Sequence, residues 1–236
     1  MIVAIAQARV GSSRLPAKVM LTINGMSILE IFVRRLEKSK LLDDIIIATS
    51  AHPQDDIIIE ECKRIGVKYF RGDEQNVLSR YYNCAKEFSV DTIARVTSDC
   101  PLIDIDILDE GIKMHLEQKA DYTSNAIEKT FPHGFDYQIL SFSALEIAYK
   151  NAIAPEELEH VIPYIRNRLQ EFRYYSIVNT KIPNAADIRI TLDYLEDYII
   201  IYNVFREFNF DIYKPNLENI FKLYKRKPEL FKVVKT

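Results

Sequence analysis

The sequence predicts an α/β protein with a mixed, mostly parallel sheet and helices on both of its faces. Apolar runs at residues 2–5, 44–50 and 92–97 have the length and composition of buried strands. Segments with helical spacing lie between them, and strands that alternate with helices are typical of a parallel sheet covered on both sides. We therefore expect a three-layer, Rossmann-like arrangement that forms a single domain over residues 1–236.

The first half of the chain carries clear signals for the ends of its elements. Ser27 and Glu30 form a capping-box pattern before the first predicted helix, and Gly66 ends a second helix that begins at Pro53. The other elements expected in this half are a short strand at 67–70 and a helix that begins near Asn76.

The second half is expected to complete the sheet and to add long helices. The predicted elements are a strand at 92–97, a helix that opens at Asp104, a strand at 120–125, a helix at 155–165 broken before Pro163, a last sheet strand at 187–193, a helix at 194–208 and a C-terminal helix with a basic tail at 213–236. No chemistry is assigned to the C-terminal helix.

Composition restricts the classes of function. The 236 residues carry a net charge of −3, which argues against a broad nucleic-acid-binding surface. No apolar run is long enough for a membrane span, and the N-terminus resembles a strand rather than a signal peptide. Cys62, Cys84 and Cys100 are odd in number and lack metal-ligand spacing, which indicates free thiols. We therefore expect a cytoplasmic protein without nucleic-acid partners or membrane insertion.

The loop after the first strand concentrates hydrogen-bond donors. Between Arg9 and Lys18 it contains Gly11, two serines and a second arginine, Arg14. Glycine lets backbone N–H groups approach a ligand closely, and guanidinium groups suit phosphate oxygens. Because open α/β sheets bind ligands at the carboxyl ends of strands, the loop predicts a site for a nucleoside triphosphate tail; a solvated basic loop is the simpler alternative. Ala17 rather than glycine precedes Lys18, which excludes a Walker A motif.

Acidic residues mark the ends of predicted strands. Asp99 follows one strand, and a triphosphate nearby would repel it unless a divalent cation lay between them, so Asp99 is a candidate magnesium ligand. A turn or cap aspartate is the alternative. Asp104 and Asp106 form a D-x-D pattern that could bind metal in a glycosyltransferase, although helix capping also explains it. Asp193 and Glu196 form a D-x-x-E pattern that is typical of a helix start.

Residues 7–18, with the sequence QARVGSSRLPAK, resemble the opening signature of the cytidylyltransferases. The closest resemblance is to the spore-coat polysaccharide biosynthesis protein F type, and the 3-deoxy-manno-octulosonate cytidylyltransferases carry a similar R-x-x-S-x-R-L-P-x-K pattern. Further matching segments follow in the family's order: GDEQNVLSRY at 72–81, RVTSDCPLID at 95–104, FPHGFDYQ at 131–138, EHVIPYI at 159–165 and RITLD at 189–193. The resemblance extends from residue 1 to about residue 208.

This resemblance implies a nucleotide-diphospho-sugar transferase fold. It also implies transfer of CMP from CTP to a sugar or sugar-acid-like acceptor, with release of pyrophosphate, for surface polysaccharide or glycan synthesis. The implied cofactor is Mg²⁺, with Asp99 and Asp193 as its ligands. The implied assembly is a homodimer that pairs through an excursion of the chain at about residues 128–180.

The matching segments imply roles for individual residues. Catalytic roles belong to Arg9, Arg14, Lys18, Asp99 and Asp193. Nucleotide contacts belong to Ala6, Gln7, Ala8, Arg9, Gly11, Ser12, Ser13, Arg14, Lys18, Asp73, Arg80 and Ser98. Acceptor contacts belong to His133, Gly134, Asp136 and His160.

Departures from the family pattern leave the acceptor open. His133, Gln138 and Ile162 stand where the family usually has arginine, glutamate and threonine. Other functions stay open as well. They are a transferase for UTP or GTP, a glycosyltransferase that uses a nucleotide sugar through Asp104 and Asp106, and a dimer that binds nucleotide without turnover.

Overall fold

A seven-stranded mixed sheet forms the centre of the structure, a computed structural model that describes residues 1–232. The strands are β1 (Ile2–Gln7), β2 (Thr22–Ile23), β3 (Met26–Ser27), β4 (Asp44–Ser50), β5 (Lys68–Gly72), β6 (Thr92–Thr97), β7 (Tyr122–Ser124), β8 (Gln138–Ser141) and β9 (Tyr174–Ser176). The helices are α1 (Ile28–Leu36), α2 (Asp56–Ile65), α3 (Val77–Glu87), α4 (Ile105–Glu117), α5 (Phe142–Asn151), α6 (Pro155–His160), α7 (Pro163–Arg166), α8 (Leu195–Glu207) and α9 (Leu217–Arg226).

The order of strands in the sheet is β5-β4-β1-β6-β8-β7-β9, and β2 and β3 form a separate hairpin. β1 lies between β4 and β6 and is parallel to both. β8 runs antiparallel to its neighbours β6 and β7, whereas β9 is parallel to β7. The predicted mixed, mostly parallel sheet is therefore confirmed.

The central strand divides the apolar interior into two layers. Ala4 and Ala6 belong to one layer and Val3 and Ile5 to the other, because successive side chains of a strand point to opposite faces. The first layer is completed by α1, α2, α4, α8 and α9, and the second by α3, α5 and α7. Helices therefore cover both faces of the sheet, as the sequence predicts.

Capping signals set the helix ends that the sequence predicts. The Ser27 hydroxyl accepts a hydrogen bond from the Glu30 N–H at 2.9 Å, and Asn76 Oδ1 accepts one from the Ser79 N–H at 2.8 Å. Gly66 ends α2 with a φ of 78°, which glycine adopts without strain. Short polar side chains satisfy helix N–H groups locally, so these ends depend little on distant contacts.

The predicted last strand at 187–193 is wrong. Asp187 ends a 3-10 turn, and the residues after it bond through their backbone to two loops instead of a neighbouring strand. The Ile190 N–H donates to the His133 carbonyl at 2.8 Å, and the Leu192 N–H donates to the Asp99 carbonyl at 2.7 Å. Because the partners change along the segment, no continuous ladder forms with any part of residues 1–232 beyond an isolated bridge between His133 and Arg189. β8 and β9, which the prediction lacked, complete the sheet instead.

Other elements of the second half are shorter than predicted. The strand expected at 120–125 spans Tyr122–Ser124, and the C-terminal helix spans Leu217–Arg226. Residues 233–236 of that predicted helix lie outside the described part of the chain. Among the helices of residues 1–232, none combines the length and the apolar character that crossing a bilayer requires.

Candidate functional site

A cavity of about 380 Å³ opens at the carboxyl ends of β1 and β6. Its lining residues are Gln7, Ala8, Arg9, Ser12, Ser13, Arg14, Lys18, Val19, Val77, Arg80, Thr97, Ser98, Asp99, Glu159 and His160. This lining includes four arginine or lysine side chains and two carboxylates, so the cavity carries net positive charge and favours an anion. Most of the predicted nucleotide contacts are thus brought together, and we refer to this site as the main cavity.

A buried carboxylate holds the loop after β1 in place. Asp55 is fully buried, and its Oδ1 accepts a hydrogen bond from the Val10 N–H at 2.7 Å. The Ser50 hydroxyl donates to the same carboxylate. Ala17 has a φ of 53°, and its N–H bonds to the Val10 carbonyl at 2.9 Å. These contacts hold the loop donors in place before a ligand binds. Binding therefore costs less conformational entropy than it would with a flexible loop.

The Lys18 ammonium joins the two predicted metal ligands. Its Nζ donates to Asp99 Oδ2 at 2.7 Å, to Asp193 Oδ1 at 3.1 Å and to the Leu192 carbonyl at 2.7 Å. Asp99 follows β6 and Asp193 precedes α8, so the fold gathers carboxylates that are distant in sequence. Without a cation between them, the two negative charges would repel each other.

Three cations contact the Asp193 carboxylate. Besides Lys18, Arg14 donates to its Oδ1 at 2.7 Å and Arg189 to its Oδ2 at 3.0 Å. Burial opposes the ionised form of Asp193, but the hydrogen bond from Arg189 and the charge of Lys18 outweigh it, and the pKa of Asp193 is lowered. The group is therefore ionised at neutral pH.

The helix-capping alternative for Asp193 is wrong. Asp197 performs that role, because its Oδ2 accepts hydrogen bonds from the Asp193 N–H at 2.8 Å and the Tyr194 N–H at 3.0 Å. Arg189 also bonds to Asp197 and so connects the cap with Asp193. The Asp193 carboxylate is thus available to the cations around the main cavity.

Arg80 brings a buried, incompletely bonded guanidinium to the cavity wall. It is 2% exposed, and among residues 1–232 its Nε and Nη1 have no hydrogen-bond partner. Burial lowers its pKa. A Cβ on Gly72 would lie 2.9 Å from Arg80 Cγ, so the glycine leaves room for the arginine stem. Buried donors without partners are costly, which favours a ligand oxygen at this position.

The backbone N–H and carbonyl of Gln7 both have hydrogen-bond partners within the protein. The Ser98 hydroxyl donates to the Gln7 carbonyl at 2.7 Å, and the Gln7 N–H donates to the Tyr81 hydroxyl at 3.2 Å. Ala6 is fully buried within the paired part of β1 and does not line the cavity. The predicted nucleotide contacts of Ala6 and Gln7 stay predictions.

Two further predicted nucleotide contacts lie outside the cavity lining. A Cβ on Gly11 would approach Gln54 Nε2 to 2.8 Å, so this glycine lets the loop pass close to the segment before α2. Asp73 accepts hydrogen bonds from backbone N–H groups two and three residues ahead and so shapes the turn before α3. Their roles in nucleotide binding stay predictions.

The predicted acceptor residues fall into two groups. His160 lines the main cavity. His133 and Asp136 lie instead near Arg189, whose Nη1 is 2.8 Å from His133 Nδ1, and Arg189 connects them with the Asp193 cluster. Gly134 lies between them in the turn, with a φ of 118°.

Gly134 seats this turn against the segment before Asp193. A Cβ at residue 134 would lie 2.8 Å from two backbone atoms, the carbonyl carbon of Ile190 and the nitrogen of Thr191. Only glycine allows both this conformation and this contact. The turn and the segment are therefore packed backbone to backbone.

Asp104 is a helix cap, which removes the geometric basis for a D-x-D metal site. It is 6% exposed, and its Oδ1 accepts hydrogen bonds from the Asp106 and Ile107 N–H groups at the start of α4. Its Oδ2 accepts another from the Leu217 N–H at 2.7 Å, at the start of α9. A buried carboxylate with three backbone donors has little capacity left for a cation.

Residue-by-residue prediction missed Glu159, Arg189 and Asp197. Glu159 opens the EHVIPYI segment and Arg189 opens the RITLD segment, so both were present in the motifs that carried the resemblance. Asp197 lies in the first turn of α8, where the helix dipole favours a carboxylate. This position in the sequence could have identified it as a helix-capping residue.

Asp99 and Asp193 fit a magnesium ion that also binds phosphate. Within residues 1–232, no group of three or more histidine, cysteine or acidic side chains gathers to hold a metal by itself. Mg²⁺ usually takes one or two carboxylates and fills its other positions with water and substrate phosphates. The two carboxylates that converge on Lys18 match this requirement.

Comparisons with known proteins identify the family of the chain. A family model described as Cytidylyltransferase matches residues 3–231. The protein MJ1063 of Methanocaldococcus jannaschii is 37% identical over 97% of this chain and 92% of its own length. The spore coat polysaccharide biosynthesis protein SpsF of Bacillus subtilis is 35% identical over 82% of each chain.

A solved structure shares the whole architecture. A cytidylyltransferase from Leptospira borgpetersenii superposes with a TM-score of 0.91 at 30% identity and covers 100% of this chain and 97% of its own. The fold also matches CMP:2-keto-3-deoxy-manno-octonic acid synthetase, solved with CTP, at a TM-score of 0.64 and 14% identity over 87% of this chain and 98% of that one. The family model matches nearly the whole chain, and SpsF is 35% identical over 82% of each chain. The chain therefore belongs to the cytidylyltransferase family.

Proposed function

We propose that this protein transfers CMP from CTP to a sugar or sugar-acid-like acceptor, with release of pyrophosphate, for the synthesis of a surface polysaccharide or another glycan. The observation that carries the proposal is the cationic main cavity, where two buried donors of Arg80 have no partner within residues 1–232. Family membership supports CTP as the donor, and the similarity to SpsF supports a glycan precursor as the acceptor. Buried free thiols at Cys62, Cys84 and Cys100 are consistent with a cytoplasmic location.

The residues of the main cavity suit the chemistry of nucleotidyl transfer. Arg9 and the loop serines bind the triphosphate and align it with the acceptor. The acceptor hydroxyl gives its proton to solvent water as its oxygen attacks the α-phosphorus, and the bond from this phosphorus to the pyrophosphate oxygen breaks. Arg14 and Lys18 neutralise the charge of the departing pyrophosphate. Asp99 and Asp193 would hold Mg²⁺, which when bound supplies further positive charge to the reacting phosphate.

Thermal unfolding with nucleotides tests the proposal. CTP with Mg²⁺ should raise the free energy of unfolding by roughly 2–4 kcal/mol at 100–1,000 times its Kd, and UTP, GTP and ATP should raise it less. When a mixture of sugar acids and sugar phosphates is then added as acceptors, the protein should release pyrophosphate from CTP. Stabilisation by nucleotide sugars alone would support glycosyl transfer, and CTP binding without pyrophosphate release would support a non-catalytic protein.

We also propose a homodimer that pairs through residues 128–180. Ile147 on α5 is 45% exposed and Ile153, just before α6, is 85% exposed, which favours burial against a second copy. Light scattering should give about 55 kDa, twice the 27.5 kDa of one chain. Ile153→Glu should produce monomers, whereas Ile57→Glu, at a 50% exposed position of α2, should leave the dimer intact. A monomeric wild type would contradict the proposal.

A further inference from the structure

The two oxygens of the Asp193 carboxylate have different kinds of partner. Oδ1 accepts hydrogen bonds from Arg14 at 2.7 Å and from Lys18 at 3.1 Å. Both donors belong to the loop after β1 and line the main cavity. Oδ2 accepts a hydrogen bond from Arg189 at 3.0 Å, and Arg189 lies outside the cavity lining. One oxygen therefore faces groups that would bind a nucleotide, and the other is held from behind by the segment before α8.

Two neighbours fix the Arg189 guanidinium in turn. Its Nε donates to Asp197 Oδ1 at 3.2 Å, and its Nη2 donates to Asp197 Oδ2 at 3.0 Å. Its Nη1 lies 2.8 Å from Nδ1 of His133. Asp197 is 3% exposed and also accepts the N–H of Asp193, so the arginine and the aspartate share one buried anchor. A two-point contact between a guanidinium and a carboxylate fixes orientation as well as position.

The charge of Arg189 by itself would not help Asp193 to bind a metal. A guanidinium beside the carboxylate neutralises part of its charge and so weakens its attraction for a cation. The benefit of Arg189 is instead geometric. Without it Oδ2 would be free, and the forked guanidinium of Arg14, whose side chain is 52% exposed, could bind both oxygens of Asp193 at once. A metal would then have to displace a two-point ion pair instead of a single hydrogen bond.

We infer that Arg189 is a positioning residue, which holds Asp193 through Oδ2 so that Oδ1 stays available to the metal of the nucleotide complex. Asp197 is the anchor that keeps Arg189 in this position. The inference rests on the proposed CMP transfer and on Mg²⁺ as its cofactor. Groups that orient metal ligands typically change metal affinity about 10- to 100-fold when they are removed. Loss of Arg189 should therefore weaken the magnesium-dependent part of CTP binding and spare the rest.

Titration calorimetry with CTP, in Mg²⁺ and in EDTA, tests the inference on Arg189→Met. Methionine keeps an unbranched stem and removes the guanidinium. The Kd for CTP in EDTA should stay within about threefold of the wild-type value, because Arg189 is a partly exposed charge outside the cavity lining. The factor by which Mg²⁺ strengthens CTP binding should fall at least about tenfold.

Two other results would overturn the inference. Removal of a positive charge alone would strengthen metal binding, so a larger magnesium effect in Arg189→Met would show that Arg189 acts only through its charge. An equal magnesium effect in the variant and the wild type, even with weaker CTP binding overall, would show a merely structural role. A wild type that binds no CTP under either condition would instead overturn the proposed function.

A second variant, Asp197→Asn, separates the positioning of Arg189 from the capping of α8. Asparagine keeps an oxygen for the Asp193 N–H but loses the charge that holds the guanidinium. The magnesium effect on CTP binding should fall at least about threefold while Tm without ligand stays close to the wild-type value. If Arg189→Met does not fold, this variant decides, and a full magnesium effect in it would overturn the inference.

Arg64→Met is the matched control for the loss of an arginine that bonds to two carboxylates. Arg64 donates to Glu61 from Nε at 2.7 Å and from Nη2 at 2.8 Å, and its Nη2 also donates to Glu30. These groups lie on α1 and α2, outside the lining of the main cavity. Arg64→Met should therefore keep the full magnesium effect, and a loss as large as that of Arg189→Met would overturn the inference.

Discussion

Replacing Asp99 with asparagine should reduce turnover by about 100- to 1,000-fold while the fold stays intact. The amide has the shape of the carboxylate but lacks the charge that holds Lys18 and that would hold Mg²⁺. The Asp99 carbonyl, which accepts the Leu192 N–H, is unchanged by the substitution. The measurements are pyrophosphate release from CTP with a mixture of sugar acids and sugar phosphates, and Tm without ligand.

The matched control is the same substitution at Asp106. This residue is exposed in the first turn of α4 and belongs to the D-x-D pattern, so Asp106→Asn should keep wild-type turnover. Loss of turnover in Asp106→Asn with an active Asp99→Asn would contradict the assignment of Asp99. It would return the D-x-D pattern to consideration as the metal site.

Replacing Gly134 with alanine should lower the free energy of unfolding by about 2–6 kcal/mol. Its φ of 118° is unfavourable for any residue with a side chain, and the new Cβ would meet backbone atoms of Ile190 and Thr191 at 2.8 Å. Backbone atoms cannot rotate away as a flexible side chain can. Thermal or urea unfolding would measure the change, and Tm should fall by at least about 5 °C.

Gly25 offers a control with positive φ but without the close contact. Its φ is 82°, and a Cβ there would have no heavy atom of the described residues, 1–232, within 4 Å. Gly25→Ala should therefore cost only about 1–2 kcal/mol, the conformational part of the effect. If the two substitutions were equally destabilising, the close packing between the turn at Gly134 and the segment before Asp193 would be disproved.

Local signals made much of the fold predictable. Ser27, Gly66, Asn76 and Asp104 each determine a helix end through hydrogen bonds or dihedral angles close by in the chain. The donor-rich loop after β1 is predictable for a related reason, since its arginines, serines and lysine lie within one short segment. Such features need no knowledge of the tertiary structure.

Contacts between distant segments could not be predicted in this way. The β-branched residues at 187–193 indicate an extended backbone but not its partners, which are the loops at His133 and Asp99. Arg95 meets Gln138 only because β8 pairs antiparallel with β6. The Arg80 donors that lack partners in the described part of the chain likewise depend on burial by several segments, and sequence spacing alone indicates only an amphipathic helix.

In the proposed reaction, Lys18 would determine which form of the nucleotide the site accepts. A magnesium ion that arrived alone would meet an ammonium already bonded to Asp99 and Asp193. A triphosphate that arrived alone would bring its negative charges close to the same two carboxylates. In the proposed reaction, a magnesium–nucleotide complex would avoid both conflicts, because Asp99 and Asp193 would hold the metal and Lys18 would be free to bind the phosphates. Metal and nucleotide should therefore enter as one unit, and the metal-free protein already contains the cation that keeps its two acids together.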